Sequence, residues 1–346
     1  MNIKDIAVLA ETSTATVSRV INGDAHVSAD MRKKVLEVIE LTGYKPNLVG
    51  KALRSQRSNK LLVLLPTIVN PYYSRVLQGV EQCASIHDYD TVIAITHRDP
   101  ETERRYLSLA STKQVDGVVT FTSSLSDEDI YAYSKEFPIV QCGASSGLIS
   151  CSCIDNVKAS YDATEFLIRL GNRRIGLLNG PYRRTYEVDR ENGYRYALID
   201  YGIPVIPEYI ASCDYTFTDG IDCCAELMQL PEPPTAIFTS YDISAAGAIK
   251  QLLKLGLTPG RDVDVIGFDG TYISAMYSPE ITTVEQPGYE LGKAAFDLLL
   301  EKIEKPDAMV KKIIMPHKLI IRESTRSMPA EDVPPIESSR VTESAG

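Results

Sequence analysis

Residues 14–22 read TATVSRVIN. Nine positions hold one positive charge, three hydroxyls and three β-branched apolar residues. At 100° per residue, Val17, Val20 and Ile21 fall on one side of a helix, and Ala15, Arg19 and Asn22 on the other. The apolar side can pack on a neighbouring helix. The other side offers a methyl, a guanidinium and an amide, the groups that read base edges in a major groove. Thr14 at the helix start and Ser18 on its flank can reach phosphates. This is the layout of a helix-turn-helix recognition helix. Periodicity alone fits a small amphipathic helix with a solvated polar side equally well, so the surrounding residues decide.

Upstream, IKDIAVLA (3–10) places Ile3, Ile6, Ala7 and Ala10 at helical spacing, and Ser13 is an N-cap candidate for the quoted helix. Downstream, a third helix is expected from near Ser28, with Asp30 in its first turn, Met31, Val35, Val38 and Ile39 on its apolar side, and Gly43 to stop it. Residues 44–58, YKPNLVGKALRSQRS, follow. Pro46 can open a helix, and Asn47 is polar. Leu48, Val49 and Leu53 are apolar beside Lys51, Arg54 and Arg57. A leucine flanked by cations suits a minor-groove wedge, which unstacks a base step while the cations hold phosphates.

Charge separates this head from the rest. Residues 1–60 hold ten Lys/Arg against six Asp/Glu, a net of +4, which leaves −14 for the remainder of a chain whose total is −10. A basic head on an acidic body implies a polyanion that touches only the head. No apolar run is long enough to span a membrane. The charged N-terminal MNIKDIAVLAETS lacks a secretion signal's apolar core, so a cytoplasmic protein is expected. Seven cysteines without C-x-x-C spacing argue against a disulfide framework or zinc site, and are expected to be mostly small buried hydrophobes. The four histidines, at 26, 87, 97 and 317, show no metal spacing and read mostly as surface residues.

From Leu61 the pattern changes. Apolar runs recur at 61–66, 91–96, 116–121, 138–143, 173–180, 235–240 and 262–270, separated by amphipathic stretches of helical length. This alternation predicts βαβ units with buried parallel strands. About ten strands exceed one comfortable sheet, so two doubly wound lobes are expected. The expected boundaries are a head over 1–45, a hinge helix and linker over 46–60, a first lobe over 61–154 plus 286–316, a second over 155–285 plus 317–326, and a disordered tail over 327–346.

The chain resembles the lactose-repressor (LacI/GalR) family of bacterial transcription regulators. The likeness rests on IKDIAVLAETSTATVSRVIN, HVSADMRKKVLEVIELTGYKPN, NPYYSRVLQGVE, VDGVV, IDN, GNRRIGLLNGP, PPTAIFTSYDISAAGAI, DVDVIGFDG and ITTVEQPGYELGKAAFDLLL, in order. Several stretches are most similar to nucleoside- and purine-responsive members. The resemblance implies that Thr14, Ala15 and Arg19 match base-reading positions. It also implies that Leu53, beside Arg54, is the wedge at the centre of a palindromic operator, commonly at a CpG. Two departures matter. Ala10-Glu11-Thr12-Ser13 replaces the family's frequent A-G-V-S, so a positive φ at the bend would strain Glu11. Gly50 stands where Ala is usual, at a cost of about 1 kcal/mol of helix propensity.

The implied body is a periplasmic-binding-protein-like pair of lobes around a small effector. Open α/β sheets bind ligands beyond the carboxyl ends of their strands, where Asn70, Tyr72, Tyr73, Asp155, Arg184, Arg190, Tyr215, Asp242 and Asp269 fall, with Tyr186 nearby. By resemblance, Arg190 contacts effector and Asp269 accepts hydrogen bonds from its hydroxyls. The tyrosines could stack on a sugar or base, with packing nearly as good a reading for Tyr72, Tyr186 and Tyr215. Tyr241 stands where sugar-responsive members often have a smaller polar residue.

The expected partners are double-stranded DNA, a sugar, nucleoside or purine, and a second copy of the chain. The family places the helix from Ser74 and the segment 271–283 at that dimer contact. No leucine heptad follows residue 326, which favours a dimer over a tetramer. No cofactor or catalytic site is expected. An enzyme of doubly wound type would need a phosphate loop, and neither G-x-G-x-x-G nor G-x-x-x-x-G-K-[ST] occurs. A solute-binding transport protein would share the body but not the DNA-reading head.

Overall fold

The computed structural model describes residues 1–21, 23–44 and 57–327. The chain divides into two compact units after Ser58.

The first unit holds three helices, α1 (Ile3–Leu9), α2 (Thr14–Ile21) and α3 (Ala29–Thr42). Asn2 opens α1 with a capping box, its side chain accepting from Lys4 and its own N–H donating to Asp5. Ser13 caps α2 as expected, its Oγ accepting the Thr16 N–H at 3.1 Å. Ser28 caps α3, and Gly43 ends it in the left-handed conformation at φ 61°. The core is small: Ile6, Ala7, Ala10, Val17, Val20 and Val35 are buried, with half-buried apolar neighbours around them.

In the second unit, each of the seven apolar runs forms a strand. One sheet has the order β11 (Lys312–Met315), β5 (Cys151–Ile154), β4 (Ile139–Cys142), β3 (Gly117–Thr120), β1 (Lys60–Leu65) and β2 (Asp90–Ile95), parallel throughout. The other has the order β12 (Lys318–Ile320), β10 (Thr282–Glu285), β9 (Asp264–Asp269), β8 (Ala236–Thr239), β6 (Ile175–Asn179) and β7 (Ile210–Ser212), with only β12 antiparallel. The five strands outside the apolar runs (β5, β7, β10, β11 and β12) have three or four residues each. The chain passes between the lobes three times, after β5, β10 and β11.

Helices cover both faces of each sheet. In the first lobe, Pro71–Ile86 packs on Gly288–Glu304 through glycines. A Cβ at Gly79 would stand 2.1 Å from the Tyr289 carbonyl oxygen, and one at Gly292 would stand 2.0 Å from that of Val76. That backbone-to-backbone approach lets a C-terminal helix seal a sheet begun at residue 60. All seven cysteines are buried and free. No described helix is long and apolar enough to cross a membrane.

Candidate functional sites

The α2 helix is held from below by Val17 and Val20, which are fully buried, so its register about its own axis is fixed. Thr14, Ala15 and Arg19 are exposed and Ser18 half-buried, so these four candidates share the free side of the helix. The Arg19 side chain is 63% exposed and its Nε lies 3.9 Å from Asp24, a loose ion pair that leaves the guanidinium available. Hydrogen bonds from the backbone and ring of His26 hold the Asp24 carboxyl below its usual range. Glu11 does adopt a positive φ, 50°, at the bend, and its carboxylate pairs with Lys34. The remaining DNA candidates, Asn22, Asn47, Leu53 and Arg54, lie outside the described residues.

The ligand candidates gather where the lobes face each other, with two exceptions. Arg190 is the best anchored. Its Nε donates to Asn156 at 3.0 Å and its Nη1 to the Ser240 carbonyl at 2.6 Å, and its guanidinium carbon lies 3.6 Å over the Phe268 ring. This one side chain ties the helix Thr185–Asp200 to the end of β8 and to the first crossover. Such a fixed planar fork can recognise a hydroxyl pair or a ring heteroatom pair.

Asp269 bridges the lobes. Its Oδ2 accepts from Asn70 of the first lobe at 2.9 Å, and its Oδ1 accepts from Gln286 of the second crossover at 2.8 Å. Burial pushes its carboxyl up to about 6, with Arg190 opposing. Its φ of 108° is unusual for a non-glycine residue.

Tyr186, Tyr215 and Tyr241 form a buried aromatic cluster. The Tyr215 and Tyr241 rings meet edge to face at 4.7 Å, and the Tyr186 and Tyr215 hydroxyls are 3.2 Å apart. Glu187 is buried against this cluster. It accepts from both hydroxyls and from the Arg184 N–H, and burial raises its carboxyl. Gly180 makes room for it, since a Cβ there would lie 2.1 Å from Glu187 Oε1. Across the cleft, Tyr72 and Tyr73 line the first lobe. The Tyr73 hydroxyl is pushed up to about 12 by burial and by the nearby Asp269 charge. The Tyr72 hydroxyl is buried with no hydrogen-bond partner among the described residues.

Two candidates, Asp155 and Asp242, are placed differently from expectation. Asp155 is exposed, and its carboxylate caps the next helix by accepting the Lys158 N–H at 2.9 Å; a sequence of strand then Asp then helix reads as well for a cap as for a ligand contact. Asp242 is buried, but its partners are all in its own lobe. Oδ2 accepts from the Thr271 N–H and hydroxyl, and Oδ1 from Thr283 at 2.5 Å. Burial, then the nearby Asp269 charge, pushes it up to about 7. Arg184 is half-buried and lies at the cleft's edge, near Tyr182.

Residues outside the expected set also matter: Gln286, Asn156, Glu187 and Arg98. Glu187 stands three residues after Arg184 at a helix start, the only local signal any of them gave. A cavity of about 190 Å³ opens between the 122–127 loop and residues 182–186. That is below the several hundred Å³ common for small-molecule sites. Among the described residues no three His, Cys, Asp or Glu side chains are grouped to hold a metal.

Comparison with known proteins identifies the family of both units. Residues 2–47 match the family described as bacterial regulatory proteins, lacI family, and residues 58–323 match periplasmic binding proteins and sugar binding domain of LacI family. The chain is 34% identical to catabolite control protein A of Priestia megaterium, over 94% of this chain and 99% of the relative. It is 35% identical to the HTH-type transcriptional repressor CytR of Escherichia coli K12, over 94% and 97%. Among solved structures, the lac repressor dimer bound to operator and the anti-inducer ONPF superposes with a TM-score of 0.86 at 25% identity, covering 94% of this chain and 99% of that one. The transcriptional regulator CelR–cellobiose complex gives 0.71 at 28%, over 94% and 99%. These relatives are regulators of transcription and not enzymes, and this chain belongs to the LacI family of DNA-binding bacterial transcriptional regulators.

Proposed function

We propose that the chain is a cytoplasmic, ligand-responsive repressor. It binds a palindromic operator as a homodimer and senses a sugar, nucleoside or purine between the lobes of its body. The observation that carries this reading is the exposed Thr14–Ala15–Arg19 face seated on buried Val17 and Val20. Residues 1–45 are the DNA-reading head, 46–60 the hinge, 61–154 with 286–316 and 155–285 with 317–326 the two lobes, and 327–346 a tail.

Dimerisation has a physical motive. A head of +4 on a body of −14 gains tight operator binding only when two heads act together. The helix Pro71–Ile86 and the segment after Gly270 are neighbours through Arg75, whose side chain reaches the Gly270 carbonyl and Glu285. Beside them Ile68, Val69, Tyr272 and Met276 are each more than 60% exposed. Exposed apolar side chains so placed favour a partner subunit.

The coupling runs through Asn70. Its Oδ1 caps the helix Pro71–Ile86 by accepting the Tyr72 N–H at 2.9 Å, while its amide donates to Asp269. Effector that replaces the Asn70 bond to Asp269 shifts the start of a helix at the proposed dimer contact. The two hinge segments then meet or part, in an order–disorder switch of the DNA-reading heads. Arg190, Asp269 and the Tyr72 hydroxyl, unpaired among the described residues, provide the polar contacts for effector.

The experiment is a thermal-shift screen of the purified chain against nucleosides, purines, pentoses, hexoses and their phosphates, followed by operator titration with each hit. A ligand that binds the folded state raises the melting temperature. The reading expects a hit that also changes operator affinity. A hit that leaves operator affinity unchanged contradicts it.

A further inference from the structure

The turn after β2 contains two successive non-glycine residues in the left-handed region, His97 at φ 54° and Arg98 at φ 58°. Such backbone persists where its surroundings hold it. Here it delivers Arg98, a first-lobe residue, onto an aromatic ring of the second lobe. The guanidinium carbon lies 3.9 Å from the centroid of Tyr215 and 5.8 Å from that of Tyr182. Those two rings are parallel within 6° and 5.9 Å apart. Tyr241 meets Tyr215 edge-on, and Glu187 anchors the Tyr215 hydroxyl from below. The partners the structure gives this guanidinium are therefore π faces in the ligand cleft.

A guanidinium is a flat N–C–N unit rimmed with N–H donors, and it stacks on aromatic faces as a planar cation. A flat N–C–N unit with an amino group also forms one edge of cytosine and adenine, as an amidine, and of guanine, as a guanidine. Uracil and hypoxanthine carry a carbonyl in its place, and a sugar has no such plane.

We propose that Arg98 is a built-in occupant of the cleft, filling the aromatic slot that accepts the amino-bearing base of a nucleoside effector. The effector displaces it, so Arg98 both holds the empty lobes together and sets which ligands enter. This rests on the reading of the interlobe cleft as the effector site. It narrows that reading from sugar, nucleoside or purine to aminopurine and aminopyrimidine nucleosides. It also assigns a role to a residue that touches neither Arg190 nor Asp269 in the contacts described above. Arg98 acts as a competitor, so its removal strengthens the binding of the right ligand, whereas the removal of an ordinary contact residue weakens it.

The test uses the full-length chain, Arg98→Ala and Arg98→Lys. Isothermal titration with cytidine, adenosine, uridine and ribose reads selectivity. Tyrosine fluorescence with acrylamide quenching reads lobe closure without ligand, which is practicable because the chain has no tryptophan. In Arg98→Ala, cytidine or adenosine is expected to bind about 10-fold more tightly, with little change for uridine or ribose, in line with the strength of one cation–π contact. Quenching in that variant is expected to rise and to be reversed by millimolar propylguanidine. Arg98→Lys, which keeps the charge but not the plane, should gain part of the affinity.

Equal weakening for all ligands would overturn the proposal and make Arg98 a direct contact. Tight nucleoside binding that Arg98→Ala leaves unaltered would overturn it while leaving the cleft as effector site. If no ligand of the panel binds any of the three proteins, the assignment to aminonucleosides fails. Propylguanidine-reversible quenching would then show that the interlobe contact is real and that the reading of the ligand is at fault.

Discussion

The α2 helix and the tyrosine cleft, the proposed DNA and effector sites, keep their polar groups in opposite ways. On α2 the groups proposed to meet DNA are exposed, and Arg19 is only loosely paired with Asp24 across 3.9 Å. Only the apolar underside is fixed. In the cleft nearly every polar group is buried and engaged by another residue of the chain: Asp269 by Asn70 and Gln286, Arg190 by Asn156 and Ser240, and Glu187 by two tyrosines. A DNA surface is wet until contact and can leave its cations to solvent. In a buried cleft an unpaired polar group is costly, and the Tyr72 and Tyr241 hydroxyls are exceptions among the described residues. Under the proposed function, binding in the cleft is an exchange of partners, and that exchange is the proposed link to movement of the lobes.

The comparison breaks first at Arg190. If its bonds hold the empty body together, Arg190→Ala strands buried groups on Asn156 and Ser240 and lowers the stability of the body by about 2–4 kcal/mol, read by urea unfolding. An unchanged midpoint would place Arg190 with the loosely held groups, like Arg19. In contrast, Arg19→Ala should leave folding intact and cost about 1–3 kcal/mol of preference for specific over random DNA, while salt-sensitive non-specific binding largely survives. Equal loss of both would remove the base-reading role.

A pH titration sharpens the same contrast. The Asp242 carboxyl sits at about 7 in the folded chain, far above an ordinary aspartate. The folded state thus binds a proton that the unfolded state has already lost, so this group's contribution to stability falls as pH rises from about 4 to 7. Asp269, at about 6, acts in the same direction over a narrower range. Asp242→Asn should flatten the fall in melting temperature across that window, and a variant with the parent's slope would contradict the assignment. The smallest effect is expected at Glu11. Replacement by Gly relieves its positive φ at the loss of an exposed pair with Lys34, and should move the head's stability by less than about 1 kcal/mol.

The two regions were legible to different degrees for the same reason. The head's pattern is local: Val17, Val20 and Ile21 are set against Ala15 and Arg19 within nine residues, with Ser13 and Gly43 marking helix ends. The seven apolar strands were equally local. The cleft is assembled from residues far apart in the chain, since Asn70 meets Asp269 across 199 positions. Nothing near Asp242 shows that Thr271 and Thr283 will claim both its oxygens, and nothing near Arg98 shows that it will reach Tyr215. Sequence placed these residues at strand ends, and only the packing of the lobes decides which of them face a ligand.

The most direct measurement is selection of bound duplexes from a random-sequence pool by the purified chain and, in parallel, by Arg19→Ala. The assignment of α2 predicts that the parent enriches a two-fold symmetric site and that the variant loses preference at one base pair in each half. An absence of enrichment, or the same site recovered by both proteins, would contradict it.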